Sequence, residues 1–150
     1  MQSVFRTSAV LFVFAFLIAG CSRGSQDRVF LSKECSVDNP IRNTVQALAD
    51  PLNIGGWAFD KAAGKAHEDV FVRLVSEDRK NVREFQAKRG TRRPDVARAY
   101  NLPAAEVAGF DLTGAKADLP AGRYSVYVVQ KSGDDQIVCS PDYDIGRIQL

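Results

Sequence analysis

Three guanidinium groups fall within five residues. Arg89, Arg92 and Arg93 lie in the run KRGTRRPDVARAY at 88–100. Arginine presents a planar fork of N–H donors that matches carboxylate and phosphate oxygens two at a time. With Lys88 these residues would form a cationic rim, suited to the phosphates or uronic acids of an envelope glycan or anionic polymer. A structural role is open to the same run. Arg93 has Asp95 or Asp111 as a possible ion-pair partner, with Trp57 and Phe110 filling a core beneath. Pro94 suits the first position of a helix, where an N–H would lack a partner anyway. Asp95 in the first turn complements the helix dipole. Val96 and Tyr100 are four apart and share one helical face, and Pro103 stops the helix near Asn101.

Other reactive residue types are sparse. His67 is the single histidine, in the polar stretch KAAGKAHE. His67, Glu68 and Asp69 would hold a metal only weakly, so a solvated loop is expected, with no metal and no cofactor. A glycosidase needs two facing carboxylates. Asp38, Asp60, Asp95 and Asp111 are candidates, but each falls beside a turn or strand end, where aspartate commonly caps backbone. No G-x-S-x-G, H-E-x-x-H or glycine-rich phosphate loop occurs. The SGDDQ stretch at 132–136 lacks the spacing of a calcium loop and reads as a hairpin turn. No catalytic residues are therefore assigned, and the chain is not expected to be an enzyme. Trp57 offers a face on which a sugar could stack, although its strand context favours the core.

The elements that position these residues are mostly strands. LNIGGWAFD at 52–60 puts Leu52 and Ile54 on one face. A bulge at Gly55-Gly56 would shift the phase and bring Trp57 and Phe59 inward as well. Val70, Val72 and Leu74 alternate, as do Tyr124, Val126 and Val128. Residues 29–32, 82–88, 109–113, 137–140 and 143–150 supply shorter strands, separated by Gly, Asp, Asn and Pro clusters. The pattern predicts an all-β fold: an immunoglobulin-like antiparallel β-sandwich of about seven strands with one short helix inserted.

Taken in order, VDNP, GWAFD, VFVRLV, RPDVARAY, AGFDL and LPAGRYSVYVV resemble a bacterial β-sandwich module. That module is attached to membrane-bound or secreted proteins of surface-glycan synthesis, glycosyltransferases among them. The resemblance spans about residues 36–130 and implies a non-catalytic accessory unit. No transferase accompanies it in this chain.

The N-terminal stretch AVLFVFAFLIAG at 9–20 is apolar throughout, follows Arg6, and is too short for a comfortable membrane span. LIAGC resembles the lipobox of bacterial lipoproteins. The resemblance implies a signal peptide at 1–20, cleavage before Cys21, and acyl chains such as palmitate on that residue. Several chains together make a stable membrane anchor. Ser22, where an inner-membrane retention signal would carry Asp, implies the outer membrane, with the domain facing the periplasm. Residues 21–28 then read as a lipidated tether and 29–150 as the sandwich domain.

The mature chain of 130 residues carries 19 basic and 18 acidic side chains. This balance does not suggest nucleic acid as a partner. The membrane, an envelope glycan or an envelope protein are the expected partners, the last making the chain an adaptor subunit of a surface-polysaccharide or secretion assembly. Once Cys21 is lipidated, Cys35 and Cys139 remain as an even pair in an exported domain, most simply a disulfide. Intact-mass analysis of detergent-extracted protein should find a chain beginning at Cys21 and carrying acyl mass. Cys21→Ser should release the protein from the membrane fraction; continued membrane retention would refute the anchor.

Overall fold

The computed structural model describes residues 27–41, 44–47, 50–116, 118–139 and 147–150. The expected signal segment, Cys21 and the first tether residues lie outside them, as do residue 140 of the expected 137–140 strand and 143–146 of the expected last strand. Ten strands occur among the described residues. They are β1 (Arg28–Ser32), β2 (Cys35–Asn39), β3 (Thr44–Val45), β4 (Leu52–Ala58), β5 (Asp69–Ser76), β6 (Val82–Thr91), β7 (Gly109–Ala115), β8 (Arg123–Ser132), β9 (Asp135–Cys139) and β10 (Arg147–Gln149). One helix, α1 (Pro94–Ala99), and a 3-10 turn at Pro103–Val107 separate β6 from β7.

The all-β fold is the expected one, but its sheet is curled and mixed. Strand order is β1-β9-β8-β5-β6-β7-β4-β2, with β10 beside β8 and β3 beside β10. Strand β6 pairs with β5 over Val82–Ala87 and with β7 over Lys88–Thr91. One continuous strand thus carries the sheet from its first layer to its second. The antiparallel expectation fails at two places, since β1 runs parallel to β9 and β3 parallel to β10. Parallel neighbours need a long connection, and here almost the whole domain separates β1 from β9.

Period-two alternation builds the core. Val70, Val72 and Leu74 from β5, Tyr124, Val126 and Val128 from β8, Leu52, Ile54 and Ala58 from β4, and Phe110 and Leu112 from β7 form one buried cluster. The buried phenol of Tyr124 donates to the Pro120 carbonyl at 2.8 Å, so its polar tip is satisfied.

The bulge expected at Gly55-Gly56 lies instead on the facing strand, between Val37 and Asn39 of β2. Strand β4 keeps its phase there, which sends Trp57 and Phe59 to the outer face. They are still covered, because Phe59 packs with Val96, Ala105 and Ala108 from α1 and the 3-10 turn, and Trp57 and Leu102 join them. The inserted helix removes any need for a phase shift. Gly56 answers to a close approach: a Cβ there would lie 2.0 Å from the Ser36 carbonyl.

Cys35 and Cys139 are disulfide-bonded, with Cα atoms 6.3 Å apart and a sequence separation of 104. The bond joins β2 to β9, closing the curl. Replacing both by serine should lower the unfolding free energy by roughly 3–5 kcal/mol, the chain-entropy value for so long a loop. Urea unfolding of the double variant measures this; a loss under ~1 kcal/mol would mean that other contacts hold the curl closed.

Candidate functional site

The three arginines do not form a common rim. Arg89 points inward, two residues along β6 from buried Ala87. Its Nε donates to the His67 carbonyl at 2.9 Å, Nη1 to the carbonyls of Ala58 at 3.0 Å and Ala108 at 2.5 Å, and Nη2 to Gln130 Oε1 at 3.0 Å. Burial pulls this guanidinium down to about 10, partly countered by the charge of Glu68. Arg89 therefore ties backbone together and does not face a ligand, correcting its expected place on the rim. Period two gave the signal: Phe85, Ala87 and Arg89 share one face.

Arg93 is held between two carboxylates. It donates through Nε and Nη2 to Asp95 at 3.0 and 2.7 Å, and through Nη1 to Asp38 at 2.6 Å. The hydrogen bonds from Arg93 hold Asp95 well down, at about 2. Exposed Arg92 pairs with Glu106. RRPDVARAY is thus a charge-compensated cap. Asp95 is the expected partner of Arg93; Asp38 is an added one; Asp111 instead accepts from Thr91. Trp57 and Phe59 stack on one another over this outer face, and Tyr100 lies edge-on to both, with ring centroids 5.6 and 4.9 Å away.

His67 is not in a solvated loop. It is 7 % exposed, and its Nε2 donates to Asp60 Oδ2 at 3.1 Å. Burial pushes the Asp60 carboxyl up, but hydrogen bonds from His67 and from the Ala63 and Ala62 backbone outweigh this and hold it below the usual carboxylate value. Among the described residues, no group of three His, Cys, Asp or Glu could hold a metal ion.

A concave feature lies away from this cap. A groove of about 740 Å³ runs between β1 and the turn at 60–65. Phe30, Leu31 and Ile137 give it an apolar lining, and Glu34, Asp60, Lys61, Lys65, His67 and Asp135 a polar one. Strand β1 is the end strand of the sheet. Its middle residues are apolar and open: Val29 is 58 %, Phe30 49 % and Leu31 77 % exposed. Arg28 N–H donates to the Asp134 carbonyl. Alternation therefore turns the N–H and C=O groups of Val29 and Leu31 away from β9. Sequence reading found a strand at 29–32, but the groove needs the 60–65 turn to be folded against it. No protein-family model matches this chain, and no curated protein or solved structure matches it.

Arg89→Met should lower stability by at least ~3 kcal/mol, since three carbonyls and the Gln130 amide lose their donor at roughly 1–3 kcal/mol each. Arg92→Met should change it by under ~0.5 kcal/mol, as expected of an exposed ion pair. Parallel urea titrations compare them, and equal losses would contradict the assignment of Arg89 as the backbone tie.

Proposed function

We propose that this chain is a non-catalytic, lipid-anchored adaptor of the cell envelope that takes an extended segment of a partner protein onto β1. The observation that carries this reading is the coincidence of an open strand edge with the groove beside it. An added strand would pair with the outward backbone of Val29 and Leu31 and place alternate side chains toward Phe30 and Ile137. Backbone pairing supplies affinity, and the pocket supplies selectivity.

Binding of an anionic glycan through Arg89, Arg92 and Arg93 has less support. Each guanidinium already has protein acceptors, and Arg93 carries two carboxylates to its one charge. The resemblance to modules of surface-glycan synthesis supports an accessory role without requiring sugar contact. In this reading Cys21 anchors the domain at the outer membrane, and the tether of a few residues keeps β1 close to the periplasmic surface of the bilayer.

A photo-crosslinking residue at position 31 should give a discrete protein adduct in living cells, and one at position 107, on the cap, should not give the same adduct. Val29→Pro removes an outward N–H while sparing those aimed at β9, and should abolish the adduct without unfolding the domain. An adduct that survives Val29→Pro, or one that contains glycan or lipid alone, would refute strand addition at this edge.

A further inference from the structure

We infer that the segment received at β1 is acidic: it brings a carboxylate to Lys61 and Lys65 while an apolar neighbour sits on Phe30 and Ile137. This inference rests on the strand-addition reading above and names the chemistry of its partner.

The groove lining carries Lys61 and Lys65 against Glu34, Asp60 and Asp135, and Arg28 reaches Asp135 from the start of β1. Their commitments differ. Asp135 receives Arg28 Nε at 2.7 Å and Nη2 at 3.0 Å. Asp60 receives His67 Nε2 at 3.1 Å and the Ala63 N–H at 3.1 Å. Glu34 receives Ser32 Oγ at 2.9 Å and the Lys33 N–H at 3.2 Å. All three carboxylates are therefore held by short hydrogen bonds from this chain. The lysines are not. Lys61 Nζ lies 4.0 Å from Glu34, at the limit of an ion pair, and is 69 % exposed. Lys65 Nζ has no side-chain partner among the described residues. Two ammonium groups are thus available to an incoming ligand, and no carboxylate is equally available to attract a cationic one.

The turn that carries them is fixed even though neither ammonium is held by a short contact. The Asp60 N–H donates to the Lys65 carbonyl at 2.7 Å, and the Lys65 N–H donates back at 3.1 Å. This small bridge closes the turn carrying both lysines and holds it opposite the apolar lining from β1 and β9. An extended ligand moves side chains on by about 3.3 Å per residue, so one short strand spans apolar lining and lysine rim together. Exposed ion pairs contribute modestly, and each lysine should account for roughly 2- to 5-fold in affinity. They also bias which partner is accepted and make binding weaker as salt rises.

The test is selection of a phage-displayed random decapeptide library on the full mature chain in detergent micelles. Native protein should enrich peptides that place Asp or Glu beside aliphatic or aromatic residues. The Lys61→Glu/Lys65→Glu variant should instead enrich Lys or Arg there, and Lys61→Gln/Lys65→Gln should weaken a selected native peptide by roughly 3- to 10-fold. Val29→Pro, with Leu31→Pro as a second variant should the first fail to fold, should retain none of these peptides. Peptides that need the β1 edge but show no charge preference, or whose preference the glutamates leave unchanged, would overturn the acidic ligand and leave strand addition standing. Peptides retained by both proline variants, or no enrichment by native protein, would overturn strand addition and this inference with it.

Discussion

One half-buried guanidinium organises the place where the sheet turns over. Arg89 sits where β6 leaves β5 and joins β7, and its donors reach carbonyls in β4, the segment before β5, and the junction ahead of β7. Its fourth acceptor, Gln130 Oε1 on β8, also receives the His67 N–H at 3.3 Å. A cation removed from water is tolerated only where acceptors replace its hydration. Here four do, so the requirement of one side chain fixes the relative placement of five segments. An arginine set in a basic run reads as a surface charge, yet this one acts through backbone.

The consequence reaches the groove. Arg89 and Gln130 hold the backbone at His67, and the imidazole holds Asp60. Asp60 in turn receives backbone N–H groups of the turn that carries Lys61 and Lys65. One wall of the groove is therefore the outer end of a chain of hydrogen bonds that starts in the core. The other wall depends on the disulfide. Ser32 of β1 lies in register with Cys139, and the chain then crosses over to Cys35 of β2. The covalent link stands at the base of this strand and keeps β1 against β9, while its far side pairs with no strand among the described residues.

How much of this was legible follows from which periodicities are local. The alternations at 70–74 and 124–128, the helix beginning at Pro94, the strand near 29–32 and the cysteine pair could all be read directly, because each depends on neighbours or on simple counting. Trp57 and Phe59 were misplaced because the cover for the outer face comes from an insertion forty residues later. Without it, two large aromatics outside a sheet look like an error to be repaired by a bulge. His67 looked solvated because its burial depends on Gln130 and Arg89, sixty-three and twenty-two residues away. The groove escaped for the same reason. Its walls come from opposite ends of β9's neighbourhood and the β4–β5 connection, and no sequence window contains both.

The two ends of the sheet are treated differently, and the difference bears on function. Strand β2 is blunted by the devices that normally prevent edge-to-edge association. It carries a bulge after Val37, its exposed Asp38 is drawn into the Arg93 pair, and Pro40 ends it. Strand β1 has charges only at its start and just beyond its end, at Arg28 and Lys33, with three consecutive exposed apolar residues between. Burying those residues in lipid would leave the outward N–H and C=O groups of Val29 and Leu31 without partners, a cost that strand pairing avoids. A fold that guards one edge so thoroughly has the means to guard the other. In the proposed reading an open β1 beside a shaped groove awaits an incoming strand and is no failure of protection, and the proposed anchor at Cys21 would limit the chance meetings between copies that such an edge invites.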